Sequence, residues 1–462
     1  MPMRSSLAFL FHPKSIAVIG ASNRPGKLGH EILRNLLEGG FSGRVYPVNP
    51  KGGRIFGLKV YQTLDSLPES PDLALIVLPP AKAVEAFERC GRLGVKAAII
   101  FSSGFSEVGN EELEGRLIET CEKYGIRLLG PNCAGVINAH ENLYATMEVR
   151  IAPGPVSMVA QSGALGGIIL ALCEKQGIGV SKFVSYGNAC DIDESEVISY
   201  LAEDPETEVI LVYIEGVKNG RKFLSALREA VRKKPVIVLK GGKTGSGSRA
   251  ARSHTAALAG DNRIFQAALR QAGAIQAENI EEMLDLAQVF LSYSHMHGNR
   301  VCIVTNSGGP AVVAADHCEE QGLKLPPPTQ KLLEKLEFLP HYCPKSNPID
   351  LTAEADGERY RKTLEAVIRS GEYDGILVIF VPPFFVDVVD TTQAVIETAW
   401  ENRRTPIVAC WTGTGVEKCI EMLREAGIPT YTTPQKAAKA LKALWTRNKT
   451  QRKTSFGAGG GI

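Results

Sequence analysis

The stretch GSGSRAARSHTAALAG, residues 245–260, contains one histidine, His254, among glycines, serines and alanines. Neutral imidazole is nucleophilic near pH 7, and a phosphoryl group that it accepts can be passed on. No cysteine or histidine lies nearby at the spacing of a zinc ligand, and a surface histidine without a role is the alternative. Because small residues give a core histidine little to pack against, the composition favours a flexible loop that carries a nucleophile.

A phosphoryl-accepting imidazole needs a hydrogen-bond acceptor on its other ring nitrogen. Glu215 is the candidate, since it ends the apolar, strand-like segment EVILVYIEG. The equivalent segment later in the chain, DGILVIFVPP, has Val381 and Pro382 at this place and no carboxylate. The pattern therefore predicts His254 and Glu215 as the catalytic pair.

Two turns of one type have the composition of anion sites. In each turn, an apolar strand is followed by a polar residue, then Ser-Gly and a small residue, and an apolar helix begins there. Unpaired N–H groups at a helix start, added to the positive end of the helix dipole, attract phosphate. Capping of the helix alone is the alternative, but two such turns at equivalent places favour a phosphoryl group held between two helix N-termini. The predicted phosphate-binding residues are Gln161, Ser162, Gly163, Ala164, Asn306, Ser307, Gly308 and Gly309.

Sheets and helices must position these residues, and the hydrophobic pattern predicts them along the whole chain. Apolar β-branched runs alternate with amphipathic stretches, which is typical of parallel sheets covered by helices. The segment IRLLGPNCAGVIN (126–138) is predicted as the last strand region of the first unit. Four segments recur in the same order in the second and third units, which indicates a structural duplication, although unrelated domains of similar texture are the alternative. The predicted domains are residues 1–149, 150–296 and 297–448, followed by a flexible tail at 449–462.

The composition limits the partners. The 462 residues are 44% hydrophobic and 22% charged, and a formal net charge of +2 is too small to suggest a polyanionic partner such as nucleic acid. The ten cysteines are scattered without a CxxC pair, which is typical of reduced thiols in the cytoplasm. The apolar patch at the start is too short to span a membrane and lacks a signal-peptide cleavage site. We therefore predict a cytoplasmic protein that binds neither nucleic acid nor membranes.

Four segments, GPNCAGVIN, VAQSGALGG, EGVKNGRKF and KGGKTGSGSRAARSHTAALAG, resemble the NDP-forming acyl-CoA synthetases, the superfamily of succinyl-CoA synthetase. The resemblance covers essentially the whole chain. It implies an α/β fold class, with an N-terminal Rossmann-like CoA-binding domain followed by two flavodoxin-like, parallel-sheet domains. It also implies that His254 is phosphorylated between helices that begin at Ser162 and Ser307. The domain order is similar to that of the α subunit of ADP-forming acetate–CoA ligase.

Coenzyme A is the substrate that the resemblance assigns to the first domain. The turn GASNR and Lys51 match the family's positions for the CoA phosphates, and two later strand-end loops match its other CoA positions. The glycines of GASNRPGKLG lack GxGxxG spacing, and the second strand ends without an acidic residue, so a nicotinamide dinucleotide is disfavoured. The residues implied to bind CoA are Gly20, Ala21, Ser22, Asn23, Arg24, Lys51, Ser102, Ser103, Gly104, Pro131 and Asn132.

The family also requires an ATP-grasp module, which this chain is too short to add to its three units. The resemblance therefore implies a separate ATP-grasp β subunit in an α2β2 heterotetramer. That subunit would hold ADP or ATP with Mg²⁺, and no metal ligand is assigned to this chain. The implied reaction is acyl-CoA + ADP + phosphate ⇌ carboxylic acid + CoA + ATP, through an acyl phosphate and a phosphohistidine at His254 on a swinging loop.

The acid itself is left open by the sequence. Gly166 and Gly167 stand where succinyl-CoA synthetases carry an aromatic residue, so the residues that would recognise a second carboxylate are in doubt. A small or an aryl monocarboxylate is the expectation. A succinate-specific enzyme, or a CoA- or nucleotide-sensing protein that never turns over, are the alternatives.

Overall fold

The structure is a computed structural model that describes residues 4–254 and 261–457, with side chains for residues 7–251 and 261–449. The chain divides into two compact units, Met1–Met283 and Leu284–Ile462. Within each unit, helices cover sheets whose strands are mostly parallel, which confirms the predicted α/β class.

Residues 4–129 form the first sheet and its helices. In chain order the elements are α1 (Arg4–Phe11), β1 (Ser15–Ile19), α2 (Leu28–Glu38), β2 (Arg44–Val48), β3 (Arg54–Ile55), β4 (Leu58–Lys59), β5 (Leu73–Ile76), α3 (Pro80–Arg92), β6 (Ala97–Ile100), α4 (Glu111–Tyr124) and β7 (Arg127–Leu129). The five-stranded parallel sheet has the order β2-β1-β5-β6-β7, and β3 and β4 make a separate antiparallel pair. Every residue of β1, β5 and β6 is buried, as expected for strands covered on both faces.

Residues 135–292 form a seven-stranded sheet and its helices, with the strand order β14-β13-β12-β10-β11-β8-β9. The elements are β8 (Gly135–Asn138), β9 (Leu143–Thr146), β10 (Val156–Ala160), α5 (Gly163–Lys175), β11 (Val180–Ser185), α6 (Glu194–Glu203), β12 (Val209–Ile214), α7 (Gly220–Lys233), β13 (Val236–Lys240), α8 (Gly245–His254), α9 (Asn262–Ala272), β14 (Ile275–Ala277) and α10 (Ile280–Ser292). Strands β10 to β14 are parallel, whereas β8 and β9 form an antiparallel hairpin at one edge.

The hairpin β8-β9 corrects the prediction for residues 126–138. Only β7 belongs to the first sheet, because β8 pairs antiparallel with β11, with Val136 opposite Val184. Pairing between segments so distant in sequence leaves no local signal in the hydrophobic pattern. The first and second sheets consequently share one hydrophobic cluster, whose buried residues run from Leu7 to Ala274.

The second unit contains a five-stranded parallel sheet with the order β16-β15-β17-β18-β19. Its elements are β15 (Val301–Thr305), α11 (Gly308–Glu320), α12 (Gln330–Lys335), β16 (Ile349–Asp350), α13 (Gly357–Ser370), β17 (Gly375–Phe380), α14 (Val388–Glu401), β18 (Ile407–Trp411), α15 (Glu417–Glu425), β19 (Thr430–Tyr431) and α16 (Pro434–Gly457). The parallel strands β10 to β14 follow this same order, as the proposed duplication requires. The first sheet follows it too, so strand order alone does not distinguish duplication from a shared fold.

The cysteines and the length of the helices are two further features of the chain. No disulfide joins any of the ten cysteines, all of which lie in the described ranges. In the part of the chain that the structure describes, no helix combines the length and the apolar character needed to cross a membrane.

Candidate functional site

A pocket of about 410 Å³ lies at the carboxyl edge of the first sheet, where β1 and β2 end. Ligands of open α/β sheets bind at this edge. All five residues of the predicted CoA turn are in its wall, together with Lys51. The pocket is lined by Gly20, Ala21, Ser22, Asn23, Arg24, Lys27, Leu28, Gly29, Asn49, Lys51, Gly52, Arg54, Ile55 and Val77.

The turn after β1 is held close to the neighbouring strand. Gly20 has a φ of +94°, and a Cβ there would overlap the carbonyl oxygen of Val77, so only glycine fits this position. Asn49 connects the turn to the next strand end, because its Nδ2 donates to the carbonyl oxygen of Ala21 at 2.8 Å and its Oδ1 accepts from the amide of Lys51 at 3.0 Å. The chain is thus shaped for a ligand that passes between the ends of β1 and β2.

Cationic side chains surround this first pocket. Arg24, Lys27, Lys51 and Arg54 all line it and are exposed to solvent. The nearest carboxylate of the adjoining helix, Glu31, is occupied by Arg34 at 2.7 Å. A rim of several positive charges around a concave surface suits a ligand with more than one phosphate group.

The predicted loop after β6 is organised differently. The amides of Gly104 and Phe105 donate to the carboxylate of Glu107, and Nδ2 of Asn188 donates to the same carboxylate at 2.7 Å. Burial would raise the pKa of Glu107, but these hydrogen bonds outweigh it and lower the pKa. Ser102, Ser103 and Gly104 line neither this pocket nor the second one described below. The Gly104 amide is therefore committed to the protein rather than to a ligand, while the buried Oγ of Ser102 has no hydrogen-bond partner.

A second pocket, of about 260 Å³, lies where the first and second sheets meet. Six of the predicted residues line it. One lies in the loop after β7, four lie in the turn that opens α5, and one lies at the end of β12. Pro131 is adjacent, since its carbonyl oxygen accepts from the amide of Asn188 at 3.0 Å. The lining residues are Phe101, Asn132, Cys133, Ala134, Met147, Gln161, Ser162, Gly163, Ala164, Gly187, Asn188 and Glu215.

Helix α5 presents its N-terminus to this second pocket. Ser162 caps the helix, because its Oγ accepts from the amide of Leu165 at 3.3 Å, which leaves the hydroxyl proton available as a donor. A Cβ on Gly163 would lie 2.7 Å from the Cβ of Ala134, so this position requires glycine for close packing. The amides of Gly163 and Ala164 have no acceptor within the helix, and the turn has the donors of an anion site.

Gln161, which was predicted to bind phosphate, lines the second pocket and also connects two elements of its wall. Its Oε1 accepts from the amides of Glu215 at 2.7 Å and Gly216 at 3.1 Å, so it fixes the end of β12 beside the helix N-terminus. Only its Nε2 remains to face a ligand. The sequence showed a polar residue before Ser-Gly, but the direction of its amide depends on a strand more than fifty residues away.

Glu215 is held in the wall of the second pocket with one oxygen unused. Its Oε1 accepts from the hydroxyl of Tyr213 at 3.0 Å, whereas its Oε2 is buried and has no hydrogen-bond partner among the described side chains. Burial and the nearby carboxylate raise the pKa of Tyr213, which keeps this hydroxyl protonated as a donor. A buried carboxylate oxygen without a donor is unfavourable unless a ligand or another segment supplies one. An imidazole N–H is such a donor.

The segment that ends at His254 is helical, which corrects the prediction of a loop for residues 245–254. Thr244 caps helix α8, because its Oγ1 accepts from the amide of Gly247 at 3.1 Å and its carbonyl oxygen accepts from Ser248 at 2.7 Å. The cap and the following Arg-Ala-Ala-Arg run outweigh the poor helix propensity of the two glycines. The backbone of His254 ends α8, and its side chain lies outside the described part of the structure.

The corresponding turn of the second unit has the same architecture. Asn306 bonds to Val381 at the end of β17 through both amide atoms, at 2.9 Å and 2.8 Å, as Gln161 bonds to the end of β12. The amide of Ser307 donates to Oγ1 of Thr305 at 3.0 Å, and its hydroxyl makes no capping bond. The amides of Gly308 and Gly309 open α11 and remain as potential anion donors.

Among the unpredicted residues at or near the second pocket, two carry an amide or a carboxylate side chain. Asn188 lines the pocket and connects it to the loop after β6, and Glu148 contacts the same helix as Ser162. Neither lies in a recognisable motif, so only the tertiary structure identifies them. Among the described side chains, no three His, Cys, Asp or Glu residues are grouped so that they could hold a metal ion.

Three family models match consecutive parts of the chain. Residues 14–139 match the CoA binding domain family, residues 153–290 the Succinyl-CoA ligase like flavodoxin domain and residues 301–453 the Ligase-CoA domain. These three matches together cover most of the chain.

Individual relatives agree with these matches. The chain is 42% identical to acetate–CoA ligase [ADP-forming] II subunit alpha of Pyrococcus furiosus, over 95% of this chain and 97% of that subunit. It is 40% identical to acetate–CoA ligase [ADP-forming] I of Archaeoglobus fulgidus, over 95% of this chain but 63% of that longer protein. The structure matches that of acetyl-coenzyme A synthetase 1 of Ca. Korarchaeum cryptofilum, described as dinucleotide forming and in complex with phosphate and ADP, with a TM-score of 0.93, 34% identity and 98% coverage of both chains.

Proposed function

The chain belongs to the ADP-forming acetate–CoA ligases of the succinyl-CoA synthetase superfamily, and on this basis we propose that it is the α subunit of such a ligase. Its reaction is acyl-CoA + ADP + phosphate ⇌ carboxylic acid + CoA + ATP. The feature of the structure that carries the proposal is the second pocket, where an unpartnered buried oxygen of Glu215 lies beside the N-terminus of α5.

Coenzyme A binds at the first pocket, and its phosphates are balanced by the cationic rim. Arg24 and Lys51 approach the phosphates as charges, while the amides of the Gly20 turn donate hydrogen bonds. The thioester end extends to Pro131 and Asn132, at the wall of the second pocket. The loop of Ser102, Ser103 and Gly104, which lines neither pocket, stays a predicted CoA contact, and the unpartnered hydroxyl of Ser102 is its available donor.

Phosphoryl transfer takes place at the second pocket. Phosphate attacks the thioester carbonyl, the C–S bond breaks, and CoA leaves with an acyl phosphate remaining. His254 then attacks the phosphorus, so that the carboxylate departs and a phosphohistidine forms. Glu215 accepts the N–H of the other ring nitrogen, and the amides of Gly163 and Ala164 with the Ser162 hydroxyl hold the phosphoryl oxygens. The turn from Asn306 to Gly309 in the other unit has the same type of donors and is predicted as a phosphate site of its own.

Nucleotide chemistry requires a partner. The relative from Pyrococcus furiosus is named as subunit alpha, and the Archaeoglobus fulgidus relative is longer than this chain. We place ADP or ATP with its Mg²⁺ on a separate ATP-grasp β subunit, in a cytoplasmic α2β2 heterotetramer. The segment carrying His254 swings from the second pocket to the nucleotide site of the β subunit. At that site ADP attacks the phosphohistidine to give ATP.

Phosphate labelling tests the proposal. The purified chain is incubated with acetyl-CoA and labelled phosphate, with and without its β subunit, beside His254→Ala and the control His341→Ala, an exposed histidine outside both pockets. Acid-labile, alkali-stable label is expected on the wild type and on His341→Ala, and none on His254→Ala. Tight CoA binding without label from any of several acyl-CoAs, even with the β subunit present, would overturn the proposal and favour a sensor.

A further inference from the structure

A carboxylate from the hairpin β8-β9 occupies the space of a side chain on helix α5. Glu148 follows the hairpin, and a Cβ on Gly167 would overlap its Oε2 and lie 2.8 Å from its Cδ. Gly167 has helical backbone geometry that any residue adopts. A side chain at this position would therefore have to displace the flexible carboxylate, whereas the fold of the helix itself does not require glycine.

Glu148 does not itself line the second pocket, but its neighbour in sequence and the helix that it contacts both do. Gly163 and Gly167 are four residues apart and share one face of α5, and Gly163 lines the pocket. The preceding residue of the hairpin, Met147, lines the same pocket. A Cβ on a helix points toward the helix N-terminus, and the N-terminus of α5 is the end that lies at the pocket. The space beside Gly167 that Glu148 occupies is therefore on the pocket side of that residue.

The carboxylate is not part of an ion pair or hydrogen-bond network. Its backbone groups bond to Thr146 and Asn35, but its carboxylate oxygens have no donor among the described residues. It is partly buried, and burial raises its pKa. An isolated, half-buried carboxylate is unfavourable for folding, and an uncharged side chain of similar size would pack as well.

We infer that Glu148 determines acid specificity, by placing a negative charge beside the acyl group so that acids with a second carboxylate are rejected and uncharged acyl chains are accepted. This inference rests on the proposed function, because it assigns the second pocket to the acyl group. Like charges in a partly desolvated pocket repel strongly. Discrimination therefore arises from a residue outside the Ser-Gly turn, supplied by the strand hairpin.

Substitutions at both sides of the contact test this role. In the complete enzyme with its β subunit, kcat/KM is measured for acetate and for succinate. Glu148→Gln should raise the succinate-to-acetate ratio about tenfold or more, because the charge is removed without a change of shape. Gly167→Ala should raise the ratio as well, since its methyl group displaces the flexible carboxylate while alanine favours the helix. Glu85→Gln, an exposed glutamate of α3, should leave the ratio unchanged.

The outcomes separate this inference from the proposed function. An unchanged ratio in Glu148→Gln, with acetate activity retained, overturns the inference and leaves the ligase intact. Loss of activity with both acids in a folded Glu148→Gln enzyme also overturns it. If Glu148→Gln does not fold, the ratio in Gly167→Ala decides. A wild-type enzyme that is inactive with both acids overturns the proposed function itself.

Discussion

Replacement of Gln161 by methionine tests the hydrogen bonds that place Glu215 in the second pocket. Methionine has a similar length but cannot accept from the amides of Glu215 and Gly216. A buried amide without an acceptor costs about 1–3 kcal/mol. Loss of both acceptor bonds should therefore lower the free energy of unfolding by about 3 kcal/mol.

The distribution of tryptophan makes this loss measurable in one unit. All three tryptophans, Trp400, Trp411 and Trp445, lie in the second unit, so urea unfolding followed by fluorescence reports that unit, whereas far-ultraviolet circular dichroism reports both. Gln161→Met should move the circular dichroism transition of the first unit to lower urea. Asn306→Leu, which removes the corresponding bonds to Val381, should instead move the fluorescence transition.

A second variant separates the acceptor oxygen from the amide donor of Gln161. Gln161→Glu keeps an oxygen for the two backbone amides and should therefore retain most of the stability. Both variants should reduce phosphate labelling of His254, the first because Glu215 is displaced and the second because negative charge repels phosphate. A Gln161→Met protein within about 0.5 kcal/mol of the wild type, with normal labelling, would refute the positioning role.

Three further changes test other regions. Burial raises the pKa of Glu194 to about 7, so the folded state loses stability as the pH rises from the unfolded pKa of about 4.5 through that value. Glu194→Gln should therefore leave the free energy of unfolding unchanged below about pH 4.5 and raise it by about 3 kcal/mol near pH 8. A pH-independent effect would contradict this. Lys51→Ala should weaken CoA binding, measured by calorimetry, about tenfold in low salt and less in about 0.5 M salt. An equal loss of CoA affinity at both salt concentrations would exclude a charge contact. Lys182→Met should destabilise by about 3–5 kcal/mol in urea unfolding, since its buried ammonium lies 2.8 Å from both Asp204 and Glu206, and a cost below about 1 kcal/mol would show that these carboxylates find other partners.

Local patterns predicted the parts of the fold that are determined locally. Buried β-branched runs became β1, β5, β10 and β15, and the Ser-Gly turn before α5 became a capped helix N-terminus in a pocket wall. Strand ends of a parallel sheet meet at one edge, so a carboxylate at the end of β12 had to lie near the turn after β10. This is why Glu215 could be predicted from its position in the sequence.

The remaining features depend on contacts between distant segments. The pairing of β8 with β11, the direction of the Gln161 amide and the contact of Glu148 with Gly167 all join residues that no local pattern relates. The helix at 245–254 was missed for a different reason. Its glycines and serines have low helix propensity, and the decisive cap is Thr244, which lies just before the segment whose composition indicated a loop.

The hairpin β8-β9 determines where such a chain can be cut or recombined. It precedes the linker at 147–155 in sequence, yet it closes the edge of the second sheet beside β11. A fragment that begins at residue 150 would expose β11 as an unpaired edge and would be prone to aggregate, while the fragment before it would keep a hairpin without a sheet. Chimeras between relatives should therefore place the crossover immediately after β7, so that the hairpin and the sheet that it completes come from the same parent.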